Sequence, residues 1–326
     1  MSGDANQDPL QLLRHTKHKL FVARRGALAQ IDALTFRAHH RAVLRRAAAE
    51  IVLPPLPRAR AGEIWGIAMV RNEEDILARS IEQLSSQGID RILVVDNGST
   101  DGTRDILAAL AHDHPLVIGQ DRWVAYQQSA KMTVLAAHAR RAGARWVVPF
   151  DADEMWMGKD GTVAEVLHRS TTPIVLSELV NAFPHPASDG SWRLDPAPHH
   201  DPKVAFRPCR GAVLSMGNHR ALRWGDISVG LGIVHAPWRS FDKFRAKVRH
   251  GASAIEAAHL SSDLGWHWRR LGAMDDPALV EVWHKILRGE HVPENAWELG
   301  PGALPFQMSI PLNWSSVTGL RDTKET

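Results

Sequence analysis

Short apolar runs alternate with amphipathic stretches between residues 62 and 155, a rhythm that predicts strands alternating with helices. Ile64 to Val70 is an apolar run of strand length. Glu73 to Gln87 follows, with Ile76, Leu77, Ile81 and Leu84 on one helix face and Gly88 as its stop. Arg91 to Val95 predicts a second strand, ending at Asp96. Thr103 to Ala111 predicts a helix with Ile106, Leu107 and Leu110 inward, and Gln127 to Ala142 another, closed by Gly143. Trp146 to Phe150 is then a strand running straight into Asp151. Strands and helices at this spacing imply a mostly parallel sheet with helices on its faces, an α/β fold. Ligands of such sheets bind beyond the carboxyl ends of the strands, where Arg71, Asp96 and Asp151 all fall.

The flanking patterns differ. Residues 10 to 50 read as helix, without proline and with Gly26 as a possible divide between two helices. Leu28, Ile31, Leu34 and Ala38 recur at helical spacing, so that face is expected to dock on the main body. Pro54-Pro55-Leu56-Pro57 stops the helix and makes a stiff linker. Beyond Gly161, Thr162 to Arg169 predicts a helix and Pro173 to Leu176 the start of a strand. Asn181 to Pro202 reads as a long loop. Val204 to Phe206, Ala212 to Ser215 and Ile227 to Val234 predict further strands. The chain turns helical again from Ser240, with Lys243, Arg245, Lys247 and Arg249, and ends in an irregular tail. The expected organisation is a basic helical extension and linker over 1–60, the α/β domain over 61–250, and a helical or irregular segment over 251–326.

Composition changes this picture little. The chain has 326 residues, 44% hydrophobic and 23% charged, which suits a globular enzyme. No apolar run approaches the ~20 residues of a membrane span, and the polar start does not read as a secretory signal. Cytoplasmic placement is the expectation. The single Cys209 excludes an internal disulfide framework and a cysteine-rich zinc site. Net charge is +3, yet Lys17, Lys19, Arg24, Arg25, Arg37, Arg41 and Arg45 crowd one segment against Asp32 alone. That run is either a solvated face or a peripheral contact with the anionic inner face of a membrane.

Three stretches carry candidate chemistry. Asp151-Ala152-Asp153-Glu154 puts two carboxylates at i, i+2 just past a strand, pointing the same way in extended backbone. Hard cations such as Mg²⁺ or Mn²⁺ take one or two such carboxylates together with substrate phosphates. The plain alternative is an acidic turn. Asp96-Asn97-Gly98-Ser99-Thr100-Asp101-Gly102-Thr103 is a tight turn that caps the next helix, and its amides and carboxylate could also hold a nucleoside. Arg71, in Val70-Arg71-Asn72-Glu73-Glu74-Asp75, could stack on a base or pair with phosphate, while the acids that follow suit a helix's first turn.

Together these stretches resemble the family-2-type glycosyltransferases of GT-A fold, over roughly residues 62 to 155. The runs Lys203 to Pro208, Gly217-Asn218-His219 and His235-Ala236-Pro237-Trp238-Arg239-Ser240 resemble a subgroup and extend the likeness to about residue 250. The resemblance implies a Rossmann-like sheet and metal-dependent transfer of a sugar, with Mn²⁺ or Mg²⁺, from a nucleotide-diphosphate donor to an acceptor hydroxyl. It favours inversion and a UDP-sugar. The acceptor would be a glycan, a lipid-linked sugar or another hydroxyl, and no nucleic acid is expected. Asp96 would contact the base with Arg71 beside it, Asn72 and Asn97 completing that end. Asp151 would hold the ribose or the metal, Asp153 would ligate the metal, and His235 would be a further ligand, with His219 as second choice. Lys131 would either reach the diphosphate or lie on the surface.

Two departures stand out. Pro149 removes a ladder hydrogen bond before the metal motif, and no acid marks the catalytic base that inversion requires. Asp226, Glu178 and Glu154 are the candidates, with Asp226 preferred for its closeness to His235. His185, His199 and His200 lie in the loop without a frame for a metal. The chain has 12 Trp, and Trp156, Trp192, Trp224, Trp238, Trp266 and Trp268 are either core residues or the lining of a sugar site. Two other readings compete: a nucleotidyltransferase, which would want a glycine-rich basic loop after the first strand, and a non-catalytic glycan- or nucleic-acid-binding protein.

Overall fold

The computed structural model of the protein describes residues 25–187, 190–258, 265–300 and 302–322. Helices α1 (25–39) and α2 (Arg41–Glu50) meet at a turn on His40 and lead into the short strand β1 (Ile51–Val52). Then come β2 (Ile64–Val70), α3 (Leu77–Ser86), β3 (Arg91–Asp96), α4 (Thr103–Asp113), β4 (Leu116–Asp121), α5 (Gln128–Ala142) and β5 (Trp146–Pro149). Beyond the acidic motif lie β6 (Glu154–Gly158), α6 (Val163–Arg169), β7 (Ile174–Pro184), β8 (Trp192–Leu194), β9 (Val204–Phe206), β10 (Val213–Leu214), β11 (Ala221–Leu222) and β12 (Ile227–His235). The C-terminal part holds α7 (Phe241–Ala257), α8 (Trp266–Gly272), α9 (Asp276–Arg288), β13 (Leu304–Phe306) and α10 (Trp314–Asp322).

Eleven of the strands form one sheet with the path β1-β4-β3-β2-β5-β9-β7-β12-β6, to which β8 and β13 attach, while β10 and β11 pair as a separate two-stranded sheet. β2, β3, β4 and β5 are parallel, and so are β7 and β12. β9 runs against both β5 and β7, so these six strands share a direction and end at one edge. This is the mostly parallel α/β sheet that the pattern predicts. Its apolar strands are covered on both faces, by α3 and α6 with Trp156 and Trp314 on one side and by α5 and α2 on the other. A third cluster, with Phe183, Trp238, Phe244 and Trp283, binds α7, α8 and α9 together.

Three elements depart from the pattern. The α1 face of Leu28, Ile31 and Leu34 is turned outward, each residue more than half exposed, while Ala33 is fully buried. Gly26, Gln30 and Arg37 face the 209–224 segment instead, and a Cβ on Gly26 would stand 3.0 Å from the Trp224 ring. Small and polar residues allow that close approach where leucines would not fit. Gly26 lies inside the described helix, and the divide is at His40. The expected long loop begins with Asn181 to Pro184 still in β7, because Asn181, Ala182 and Phe183 are buried and paired. The tail carries three helices, α8 to α10, of which α9 has an Asp275 cap and a Pro in its first turn.

Candidate active site

The six co-directional strands end on a cavity of about 1020 Å³. At its β3–β2 end the chain turns after Val70 through Asn72, whose φ of 58° is left-handed, a conformation Asn tolerates better than most residues. Two turns are stitched together here. Asn72 N–H donates to Ser99 Oγ (3.0 Å), Thr100 N–H to Asn72 Oδ1 (2.8 Å), Glu73 N–H to Thr103 Oγ1 (2.9 Å) and Gly102 N–H to Glu74 Oε2 (2.8 Å). Arg71, Asn72, Asn97, Asp101 and Tyr126 line this end. Arg71 Nε is buried without a hydrogen-bond partner among the described residues, a cost that a ligand's acceptor would relieve.

Asp96 and Lys131 sit behind this wall. Asp96 is buried and turned into its own turn, accepting Ser99 N–H at 3.1 Å and Arg104 Nε at 2.7 Å. Its neighbour Asn97 reaches the cavity instead. Lys131 is fully buried, neither at the surface nor in the cavity lining, and pairs with Asp121 at 2.6 Å. Asp121 also accepts Asn97 Nδ2 at 2.7 Å. The helix α5 holds this lysine beneath the β4 end, so it supports the Asn97 position from below.

In the middle, the chain leaves β5 through Asp151, Ala152 and Asp153. Asp151 accepts Lys203 Nζ at 2.6 Å and Gln128 Nε2 at 3.2 Å. Lys203 also stands 2.6 Å from Glu154. Glu154 is wholly buried and accepts Asp151 N–H and Trp156 Nε1, each at 3.1 Å. Two carboxylates thus share one buried ammonium, and burial pushes the Glu154 carboxyl up to about 8. Lys203 is raised by the same two acids against its burial.

Asp153 is buried and meets three cationic or imidazole groups: Lys247 at 2.5 Å, Arg239 at 3.7 Å and His235 at 3.7 Å. Despite burial, Lys247 first and His235 next hold its carboxyl well below the usual range. His235 Nδ1–H donates to Asn181 Oδ1 at 2.9 Å, and burial lowers the ring's pKa from its ordinary value, against the opposing pull of Asp153. Its Nε2 faces the Asp153 carboxylate at 3.7 Å, with the Lys247 ammonium beside that carboxylate. Orientation of a ligand histidine by its other nitrogen is the usual support of a metal site. Asp153 and His235 fit a divalent cation; in this structure Lys247 supplies the positive charge.

Arg239 fixes the start of α7 against the first loop, pairing with Glu73 at 2.5 Å and Asp75 at 2.6 Å. Lys243 joins Glu74 and Asp101 at 3.2 and 3.1 Å. Lys243, Lys247 and His250 lie at i, i+4 and i+7 and line the cavity with the small Gly251 and Ala254 behind them. The sequence shows these lysines as a basic helix; their common face is the signal that would have placed them in the site. Lys203, inside a run singled out only for resemblance, gives no such signal.

Other candidates fall elsewhere. Asp226 precedes β12 at the end opposite His235, roughly 25–30 Å away along an extended strand, and lies outside the cavity lining. Glu178 is paired with Lys159 at 2.6 Å, on the strand face opposite its cavity-lining neighbour Leu179. Glu154 is enclosed as described. His219 lines the cavity near Asp151 and donates Nδ1–H to Pro202 O at 3.0 Å. Among the described residues His199, His200 and Asp201, on the rim, bring one potential ligand atom each within 4.8 Å of one another. His199 Nδ1 already accepts Asp201 N–H at 3.2 Å, and His200 is 80% exposed.

Residues 67–182 match the family described as Glycosyl transferase family 2. No curated protein matches the chain. Among solved structures, Staphylococcus aureus TarS 1-349 in complex with UDP-GlcNAc shares 14% identity over 63% of this chain and 70% of that one, with a TM-score of 0.40. The Pyrobaculum calidifontis mannosyltransferase PcManGT, in complex with GDP-Man and Mn²⁺, shares 17% over 82% of this chain and 89% of that one, at 0.36. Mycobacterium tuberculosis glucosyl-3-phosphoglycerate synthase, in complex with Mn²⁺, UDP and glucosyl-3-phosphoglycerate, shares 20% over 36% of this chain and 44% of that one, at 0.27.

Proposed function

We propose, on the premise that this chain is a glycosyltransferase carrying a family 2 domain of GT-A type across residues 67–182, that it transfers a sugar from a nucleotide diphosphate to an acceptor hydroxyl with inversion. The observation that carries the donor assignment is a cavity joining Asn97 and Arg71, whose buried Nε has no partner among the described residues, at one end to the Asp153–His235 pair in the middle. Arg71, Asn72 and Asn97 take the nucleoside. Asp151, held by Lys203 and Gln128, faces the ribose. Asp153 and His235 hold Mn²⁺ or Mg²⁺, which when bound neutralises charge on the departing diphosphate. Lys247 and Lys243 add positive charge from α7 where that diphosphate leaves. The acceptor hydroxyl attacks the anomeric carbon from the side opposite the diphosphate; the glycosidic bond forms as the sugar–phosphate bond breaks, and the hydroxyl proton passes to a base on the cavity wall, a part that Asp226, Glu178 and Glu154 are not placed to play. A UDP-sugar is the favoured donor.

A thermal-shift series tests this, since a ligand of the folded state raises stability by mass action. UDP or GDP with Mn²⁺ is expected to raise the melting temperature more than either alone, and the matching nucleotide sugar to be slowly hydrolysed. No shift with any nucleoside diphosphate, with or without the metal, would sink the proposal. Among the described residues no helix is long and apolar enough to cross a membrane. Peripheral docking through Arg37, Arg41, Arg45 and the outward Leu28, Ile31 and Leu34 is the accompanying proposal, read by flotation with anionic vesicles. Equal flotation of a chain starting at Ala61 would end it.

A further inference from the structure

The cavity has a second end that the nucleotide does not explain. Along the sheet edge the strands run β3, β2, β5, β9, β7, β12, so Asn97 and Arg71 lie at one side, Asp151 in the middle and His235 at the other. Past His235 the wall is aromatic: Trp266, His267, Trp268 and Trp297. All four lie outside the matched stretch of residues 67–182.

These rings pack against one another. Trp297 meets His235 edge-on at 5.5 Å, His267 at 5.2 Å, Trp238 at 5.2 Å and Trp268 at 5.9 Å. Trp238 is fully buried and donates Nε1–H to Asn295 Oδ1 at 3.2 Å, while Asn295 Nδ2 donates to Trp297 O. Trp266 is 38% exposed at the mouth and meets His267 edge-on at 5.6 Å. His267 Nε2 is buried, with no hydrogen-bond partner among the described residues. The ring is neutral, because burial and then Lys247 push it down to about 4. Aromatic plates with one unsatisfied neutral polar group suit an uncharged ligand that has an apolar face and a hydroxyl edge. A pyranose offers both, its C–H face to the indole and its hydroxyls to the imidazole.

We propose that Trp266, His267, Trp268 and Trp297 form the acceptor subsite and that the acceptor is a neutral pyranoside, stacked on the indole wall with its attacking hydroxyl turned toward the Asp153–His235 end. The proposal rests on the transferase reading above, and the order of the sheet edge supplies its direction: nucleoside, diphosphate, then acceptor.

The test uses the full chain, the donor found by thermal shift, and methyl α- and β-glycosides of glucose, galactose, mannose and N-acetylglucosamine as acceptors. Trp266→Ala and Trp297→Ala are expected to raise the acceptor KM more than tenfold, with Trp266→Tyr recovering most of the loss. The nucleotide-induced thermal shift of both should match the wild type, which also shows that they fold. Trp224→Ala, an exposed indole outside the cavity, controls for loss of any tryptophan. An unchanged acceptor KM in Trp266→Ala overturns the proposal even if Trp297→Ala fails to fold. So does preference for a phosphorylated or carboxylated acceptor over every neutral glycoside. A wild type that binds no nucleotide overturns the transferase reading first, and that failure is seen before any acceptor is added.

Discussion

At the β3–β2 end of the cavity the walls are turns stitched by side-chain hydrogen bonds over a buried Asp121–Lys131 pair. At the β12 end they are indole rings touching edge to face over the α7–α9 cluster. The first arrangement fixes charges and donors before the ligand arrives, as binding of a phosphate-bearing donor requires. The second gives contact area with few polar demands, which suits a neutral ring. The difference teaches where each end is vulnerable. Loss of one partner at the charged end leaves an uncompensated buried group, whereas truncation at the aromatic end mainly removes contact.

The strongest way to break the comparison is at its junction. Asp153→Asn removes the charge on which Lys247, Arg239 and His235 converge. Transfer is expected to fall by about 10³-fold or more, on the order of 4 kcal/mol in the barrier. Steady-state turnover with Mn²⁺ measures it, and a variant within tenfold of wild type would remove Asp153 from the site. Next comes the support of the charged end. Lys131→Met leaves Asp121 buried opposite an apolar side chain, which should cost about 3–5 kcal/mol. Urea unfolding of the variant reads that cost. A change below about 1 kcal/mol, the range of an exposed ion pair, would show that the Asp121–Lys131 pair does not organise this end.

The two ends also differ in how far they could be read from sequence. The charged end lies between strands whose apolar runs are unmistakable, so Arg71, Asn97, Asp151 and Asp153 fall at strand ends by counting alone. Yet the pattern could not say that Asp96 turns inward while Asn97 turns out, or that Lys131 is buried, because both depend on packing under α5. Asp226 misled through nearness in sequence: nine residues in an extended strand carry it to the far end. The aromatic end was only half legible. Trp266 and Trp268 are two of six tryptophans whose sequence pattern does not separate core from lining, and Trp297 lies in a tail whose pattern predicts no regular element. Its place depends on contacts with Trp238 and His235, some sixty residues away in the chain. The outward face of α1 was misread because periodicity identifies an apolar stripe but not whether a partner covers it.

The smallest effect separates the two ends by pH. His267, between Trp266, Trp268 and Trp297 and close to Lys247, is held neutral down to about pH 4, against an ordinary value of 6.5. In the unfolded chain it takes up a proton near pH 6.5 and in the native state only near 4, so the unfolded state binds more protons in between. Its contribution is fully present above about pH 6.5 and is lost as pH falls toward 4. The loss is at most about 3 kcal/mol for a shift of that size, less what partial solvent exposure screens. Glu154 works the other way: with its carboxyl raised to about 8 from 4.5, the native state holds the extra proton, and stability from this group rises as pH falls from about 8. The raw profile therefore mixes opposing slopes, and the informative quantity is the difference between wild type and His267→Phe. Unfolding free energies at pH 7, 6, 5 and 4 should show the variant losing less stability than wild type over that interval. Parallel profiles would mean that the aromatic wall leaves His267 free to take its proton near the ordinary value, and that the outer end of the cavity is wetter than its ring contacts imply.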